Sequence, residues 1–189
     1  MSRPWVVKVE LGGAARQMVG GLREVSFGPL INVLVGPNGS GKSTILRVLR
    51  DKDWAEQEAC SVWVEDGDKK SLQWVAYDAE QDNPRGRGGT GPLQFMNQVG
   101  SHGEVQRRVF AFIDARVRPG TLVLLDEPEA AMDPEGVRLF FALVTKRKDV
   151  QWVMASHSPL LWRLPNARVI ELRPGYVERT RALLRQAVG

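Results

Sequence analysis

Gly36-Pro37-Asn38-Gly39-Ser40-Gly41-Lys42-Ser43-Thr44 fits the pattern G-x-x-x-x-G-K-[ST], and the residues around it decide the fold. Ile31-Asn32-Val33-Leu34-Val35 before it is a short apolar, β-rich run that reads as a buried strand. Ile45 to Arg50 after it reads as a helix. Strand, glycine loop and helix in that order are the context the pattern requires. Glycines let the backbone curl so that successive N–H groups face anionic oxygens, and the helix N-terminus adds partial positive charge. Such a loop holds nucleotide phosphates. Lys42 is expected to reach the β- and γ-phosphates, and the Ser43 hydroxyl to sit on Mg²⁺.

Leu122-Val123-Leu124-Leu125-Asp126-Glu127 carries the second strong signal. Four apolar residues predict a strand at the sheet centre, with two carboxylates at its C-terminal end, where open α/β sheets bind ligands. Asp126 is expected to hold Mg²⁺ directly or through water, and Glu127 to polarise or deprotonate a water. Trp152 to Ala155 predicts a third buried strand. His157, in Ala155-Ser156-His157-Ser158-Pro159, follows it and should face the γ-phosphate. His102, the other of two histidines, lies in Ser101-His102-Gly103-Glu104. That tetrad reads either as an S-x-x-E capping box or as a second phosphate-binding helix end.

The remaining chain predicts strands at Val6 to Leu11 and Glu24 to Phe27 around a glycine-rich turn. Ser61 to Glu65 and Leu72 to Tyr77 predict a hairpin across Asp66-Gly67-Asp68. Amphipathic helices are expected over Glu104 to Arg116 and Glu135 to Lys148. Val169 to Leu172 and Tyr176 to Glu178 predict a closing hairpin over Pro174-Gly175, with a terminal helix from Thr180 to Val188. Buried strands alternating with helices predict an α/β fold with a mostly parallel central sheet flanked by helices, and the early strands add an antiparallel β lobe.

Composition agrees with a globular chain. Its 189 residues suit one domain, 1–189; 43% are hydrophobic, 25% charged and the net charge is +4. Cys60 is the single cysteine, so no intrachain disulfide forms. No apolar run approaches the roughly 18 residues that cross a bilayer, and Met1 to Trp5 lacks a signal-peptide core, so a cytoplasmic location is expected. Arginines at Arg85, Arg87, Arg107, Arg108 and from Arg168 to Arg185 suit either nucleic-acid phosphates or a solvated surface.

Taken in order, the phosphate loop, the serine-glycine helix start, the strand ending in Asp-Glu and the later histidine resemble the ABC-type ATPases, a branch of the P-loop NTPases. The run Leu125-Asp126-Glu127-Pro128-Glu129-Ala130-Ala131-Met132-Asp133-Pro134 is similar to their catalytic strand and D-loop. The tetrad SHGE stands where transporters carry LSGGQ. With DEPEAA and SHSP it resembles small stand-alone bacterial and phage ATPases near the RecF/SMC-like branch. The resemblance implies that Gly36, Pro37, Asn38, Gly39, Ser40, Gly41, Lys42, Ser43 and Thr44 bind ATP, and that Ser43 and Asp126 bind Mg²⁺. It implies Glu127 as the catalytic carboxylate and His157 as the switch histidine. Ser101, Gly103 and Asp133 would meet the nucleotide of another subunit. Gln81, with Glu80 competing, is its choice for the glutamine loop. One loop and one signature segment per chain then imply a homodimer that sandwiches two ATPs and acts on DNA or a DNA-processing partner. A transporter subunit or a nucleotide-gated interaction switch are the alternatives. A Ras-type GTPase would need an N-K-x-D element that the chain lacks.

Overall fold

A computed structural model of the protein describes residues 5–65, 72–78, 110–111 and 113–188. Its centre is a five-stranded sheet built on β3 (Ile31–Val35), all five residues of which are buried. Its partners are β5 (Trp74–Asp78), β6 (Leu122–Asp126), β7 (Gln151–Ala155) and β8 (Ala167–Glu171), in the spatial order β5-β6-β7-β3-β8. Every pairing in this sheet is parallel. A second sheet, antiparallel and three-stranded, holds β1 (Trp5–Glu10) between β2 (Glu24–Ser26) and β4 (Ser61–Glu65). The expected parallel core and antiparallel lobe are both present.

Side chains alternate across the central strands, so each strand feeds two cores. Leu34, Leu122, Leu124, Val153 and Ala155 face the antiparallel lobe and α2 (Lys42–Arg50). Val33, Val123, Leu125, Trp152 and Met154 face α4 (Pro134–Lys146) and Phe110, Ile113 and Val117. Trp152 and Phe140 are sealed from water; burying each contributes about 2–3 kcal/mol. Gln151 joins the two sheets. Its buried amide accepts from the Val6 N–H at 2.9 Å and donates to the carbonyls of Val6 and Gly28, both at 2.7 Å.

Three local expectations differ from the fold. The turn between β1 and β2 contains a short helix, α1 (Gly13–Met18), set down by Ala15 and by the N–H of Ala14 on the Glu58 carboxylate. Ser61 to Glu65 and Leu72 to Tyr77 do not pair as a hairpin: β4 lies on β1, and β5 lies parallel to β6 in the other sheet. Turn chemistry is local, whereas β6 offers β5 a fully buried neighbour, and that long-range pairing wins. Nor does Tyr176 to Glu178 return as a strand. It opens α5 (Tyr176–Val188), where the Glu171 carboxylate accepts the Tyr176 N–H at 2.9 Å and Val177 enters the core. A further helix, α3 (Lys52–Gln57), was not foreseen; Asp51 caps it by accepting from the Trp54 N–H at 3.0 Å. The helix expected over Glu104 to Arg116 is seen at residues 110–111 and 113–116; its earlier part lies outside the described residues.

Candidate nucleotide site

β3 ends at the phosphate loop, and the loop's shape follows from two glycines. Gly41 caps α2 at φ +93°, and a Cβ there would stand 2.5 Å from Val19 Cγ1. Both the backbone angle and the space require glycine. At Gly36 a Cβ would meet the Ser40 hydroxyl at 2.5 Å, so the loop folds back on its own start. Pro37, Asn38 and Gly39 stay exposed, and residues 38–44 line a cavity of about 820 Å³ with Met18, Glu127 and His157.

Lys42 is buried beneath this loop. Its ammonium donates to the carbonyls of Gly36 (3.2 Å) and Pro37 (3.3 Å) and to His157 Nε2 (2.8 Å). Burial holds the lysine's pKa below its ordinary value, although Glu127, Asp126 and Glu129 pull the other way. His157 is likewise held below 6.5, first by burial and then by the Lys42 charge. A neutral ring with its proton on Nδ1 follows, leaving the Nε2 lone pair for Lys42. The 3.4 Å approach of His157 Nε2 to Glu127 Oε1 is therefore not an ion pair at neutral pH.

The carboxylates arrive by sheet register. Asp126 ends β6 opposite Ala155 of β7 and Asp78 of β5, which places the Asp126-Glu127 and His157 loops side by side. Burial raises the Asp126 pKa; a hydrogen bond from Ser43 opposes this, while Asp78 and Glu127 reinforce it. Glu127 takes a left-handed backbone, φ +47° and ψ +50°, with its N–H bonded to the Ala155 carbonyl at 3.0 Å. A non-glycine residue in this region is strained by roughly 1–2 kcal/mol.

Ser43 and Asp126 form a donor set that fits Mg²⁺. One hydroxyl and one half-buried carboxylate with acidic neighbours match an ion that takes its other ligands from phosphates and water. Among the described residues no group of three metal-ligating side chains gathers.

The expected residues divide as follows. Asn38 to Thr44, Glu127 and His157 line one cavity, and Asp126 lines a second one that shares Ser43 and Thr44 with it. Asp133 is exposed and caps α4, accepting from the Gly136 N–H at 2.6 Å. Gln81, Ser101 and Gly103, with Glu80 and His102, lie outside the described residues. Trp5 has a ring that can stack on a base, but it opens β1 next to the Gln151 end of β7, at the opposite sheet end from His157. Met18 is instead the large apolar side chain at the cavity. It is 53% exposed, and its position as the last residue of the six-residue α1 left no periodic signal to find. Glu129 was also missed: its Oε1 accepts from Ser156, His157 and Ser158, partners too distant in sequence for any spacing rule.

Known proteins resemble this chain in sequence and in fold. The family model described as "AAA domain, putative AbiEii toxin, Type IV TA system" matches residues 31–91 and 65–163. The cytochrome c biogenesis ATP-binding export protein CcmA of Rhizobium meliloti (strain 1021) is 32% identical over 168 residues, covering 68% of this chain and 78% of that protein. A bacterial Atm1-family ABC exporter, solved with ATP bound, superposes with a TM-score of 0.58 at 18% identity, over 99% of this chain and 43% of the exporter. The SMC head domain from Thermotoga maritima superposes at 0.51 with 12% identity, over 87% of this chain and 94% of the head. The two structures share the fold.

Proposed function

Since this chain belongs to the ABC-type P-loop ATPases, we propose that it binds ATP at residues 36–44 and hydrolyses it in a site completed by a second copy. One observation carries the reading: His157 Nε2 lies 2.8 Å from the Lys42 ammonium and 3.4 Å from Glu127 Oε1, and all three residues line the phosphate-loop cavity. A lysine, a neutral histidine and a carboxylate so placed can hold a terminal phosphate, contact it and deprotonate a water beside it.

The chain's residues act as follows. The backbone N–H groups of the loop cradle the β- and γ-phosphates. Lys42 exchanges its hold on the Gly36 and Pro37 carbonyls and His157 for phosphate oxygens. Ser43 and Asp126 would hold Mg²⁺, which would supply positive charge to neutralise the phosphates. Glu127 takes a proton as a water oxygen attacks the γ-phosphorus; the bond to the β–γ bridging oxygen breaks, and ADP leaves with that oxygen. His157 orients the γ-phosphate. Gln81, as glutamine-loop residue, would watch the metal. Ser101 and Gly103 would reach the γ-phosphate of the partner copy's nucleotide, with Asp133 at the same interface. The assembly is then a C₂ homodimer closed by two ATPs and opened by hydrolysis.

Work on DNA or on a DNA-processing partner is the reading we favour for this cycle, supported by the net charge of +4 and the SHGE tetrad. A transporter's ATP-binding subunit is the second reading, supported by the 32% identity to CcmA, named as an export protein. Among the described residues no helix is long and apolar enough to cross a membrane, so that reading requires a membrane partner. Phosphate release measured with and without duplex DNA tests the choice. Stimulation of at least severalfold supports the first reading; DNA-independence together with co-purification of a membrane protein supports the second.

A further inference from the structure

Glu129 stands two residues beyond the carboxylate assigned to the water, in the 3-10 turn Pro128–Ala131. Its Oε1 collects three donors from one loop: the Ser156 hydroxyl at 2.5 Å and the N–H groups of His157 and Ser158, each at 3.1 Å. The Ser156 oxygen in turn accepts the Ser158 N–H at 2.9 Å, so the loop closes into a ring around one carboxylate oxygen. Ser156 is fully buried, and Glu129 Oε2 is shielded from solvent with no partner among the described residues.

Sheet pairing gives out just where this ring begins. The Ser156 N–H bonds to the Leu34 carbonyl at 3.1 Å, the last tie of β7 to β3. Beyond it, the N–H groups of His157 and Ser158 have Glu129 as their anchor outside the loop. The histidine ring that meets Lys42 and Glu127 is therefore carried on a main chain that the sheet does not hold. We propose that Glu129 is a positioning residue: it fixes the loop Ser156 to Ser158 so that the His157 ring faces Lys42, Glu127 and the γ-phosphate. Its geometric part stands alone; its kinetic part rests on the ATPase reading above. Reach is the property that matters. Aspartate keeps the charge but is one methylene too short, whereas glutamine keeps both the length and an acceptor oxygen.

The test uses protein with isotope-labelled histidines, of which the chain has two, His102 and His157, assigned with His157→Ala. In the nucleotide-free protein, Glu129→Ala and Glu129→Asp should move the His157 ring resonances, while Glu129→Gln, which loses the charge but keeps the reach, should move them less. Turnover should fall about 10–100-fold in the alanine and aspartate variants, with KM for ATP changed less than about threefold and the glutamine variant close to wild type. Unchanged His157 resonances in Glu129→Ala, or a Glu129→Gln variant as defective as Glu129→Ala, overturn the proposal. Should Glu129→Ala fail to fold, Ser156→Ala removes a single donor and should give a smaller shift of the same resonances; no shift there overturns it equally. A wild type without turnover defeats the ATPase reading, and the resonances alone then decide on Glu129.

Discussion

At Glu127 the backbone and the chemistry pull in opposite directions. Its left-handed angles cost stability, and they turn a carboxylate toward Lys42 and His157. Replacing Glu127 by glycine should therefore raise stability by about 0.5–1 kcal/mol, read from the urea midpoint, while lowering turnover by roughly 10²–10⁴-fold. A second residue-scale effect concerns protons. His157 titrates below 6.5 in the fold because burial and Lys42 oppose its charge. The unfolded chain then binds more protons below pH 6.5, so stability present above that value is lost as pH falls through the window beneath it. Urea midpoints between pH 7.5 and 5.5 should drop in the wild type and drop less in His157→Gln. The phosphate loop, Asp126, Glu127 and His157 were legible in sequence because each follows a buried strand at fixed spacing. Glu129 and Met18 were not, because their roles arise from contacts across the chain.

Elements are held to one another by a few polar side chains more than by their own propensities. Gln151 is the clearest: one buried amide ties the antiparallel lobe to the central sheet through Val6 and Gly28. Gln151→Leu keeps the volume but strands the Val6 N–H and C=O in the core, and should destabilise the protein by about 2–4 kcal/mol in denaturant unfolding. Arg147 acts similarly, joining Asp149, Asp114 and the Val117 carbonyl from the end of α4. Strand existence was readable from apolar runs: of nine expected ranges, eight meet a strand among the described residues within two residues at each end, and Tyr176 to Glu178 does not. Strand pairing was not. The Asp-Gly turn near residue 66 argued for a hairpin, yet β4 and β5 go to different sheets. Pro174-Gly175 argued for another, yet Tyr176 packs edge-on against Trp162 at 5.9 Å as the first turn of a helix. Local turn signals say where a chain bends, not which neighbour it meets. The tryptophans divide in the same way: Trp162 is core, while Trp63 and Trp74 are about half exposed on strands at the sheet edges.

For the whole molecule, a five-stranded parallel sheet brings the phosphate loop, the acidic strand end and the histidine loop together at the C-terminal ends of its three interior strands. An antiparallel lobe is fastened at the other end by Gln151. That division gives the strand ends a rigid floor; in the proposed cycle a second copy would supply the closing contacts. Glu127→Gln with ATP and Mg²⁺ should accumulate as a dimer by light scattering, and Lys42→Ala should remain monomeric under the same conditions. The most direct test of the account is phosphate release by the wild type as protein concentration rises, beside Glu127→Gln. The account predicts a specific rate that climbs with concentration and a loss of turnover in Glu127→Gln while nucleotide binding is kept. Equal turnover in the two proteins would contradict it.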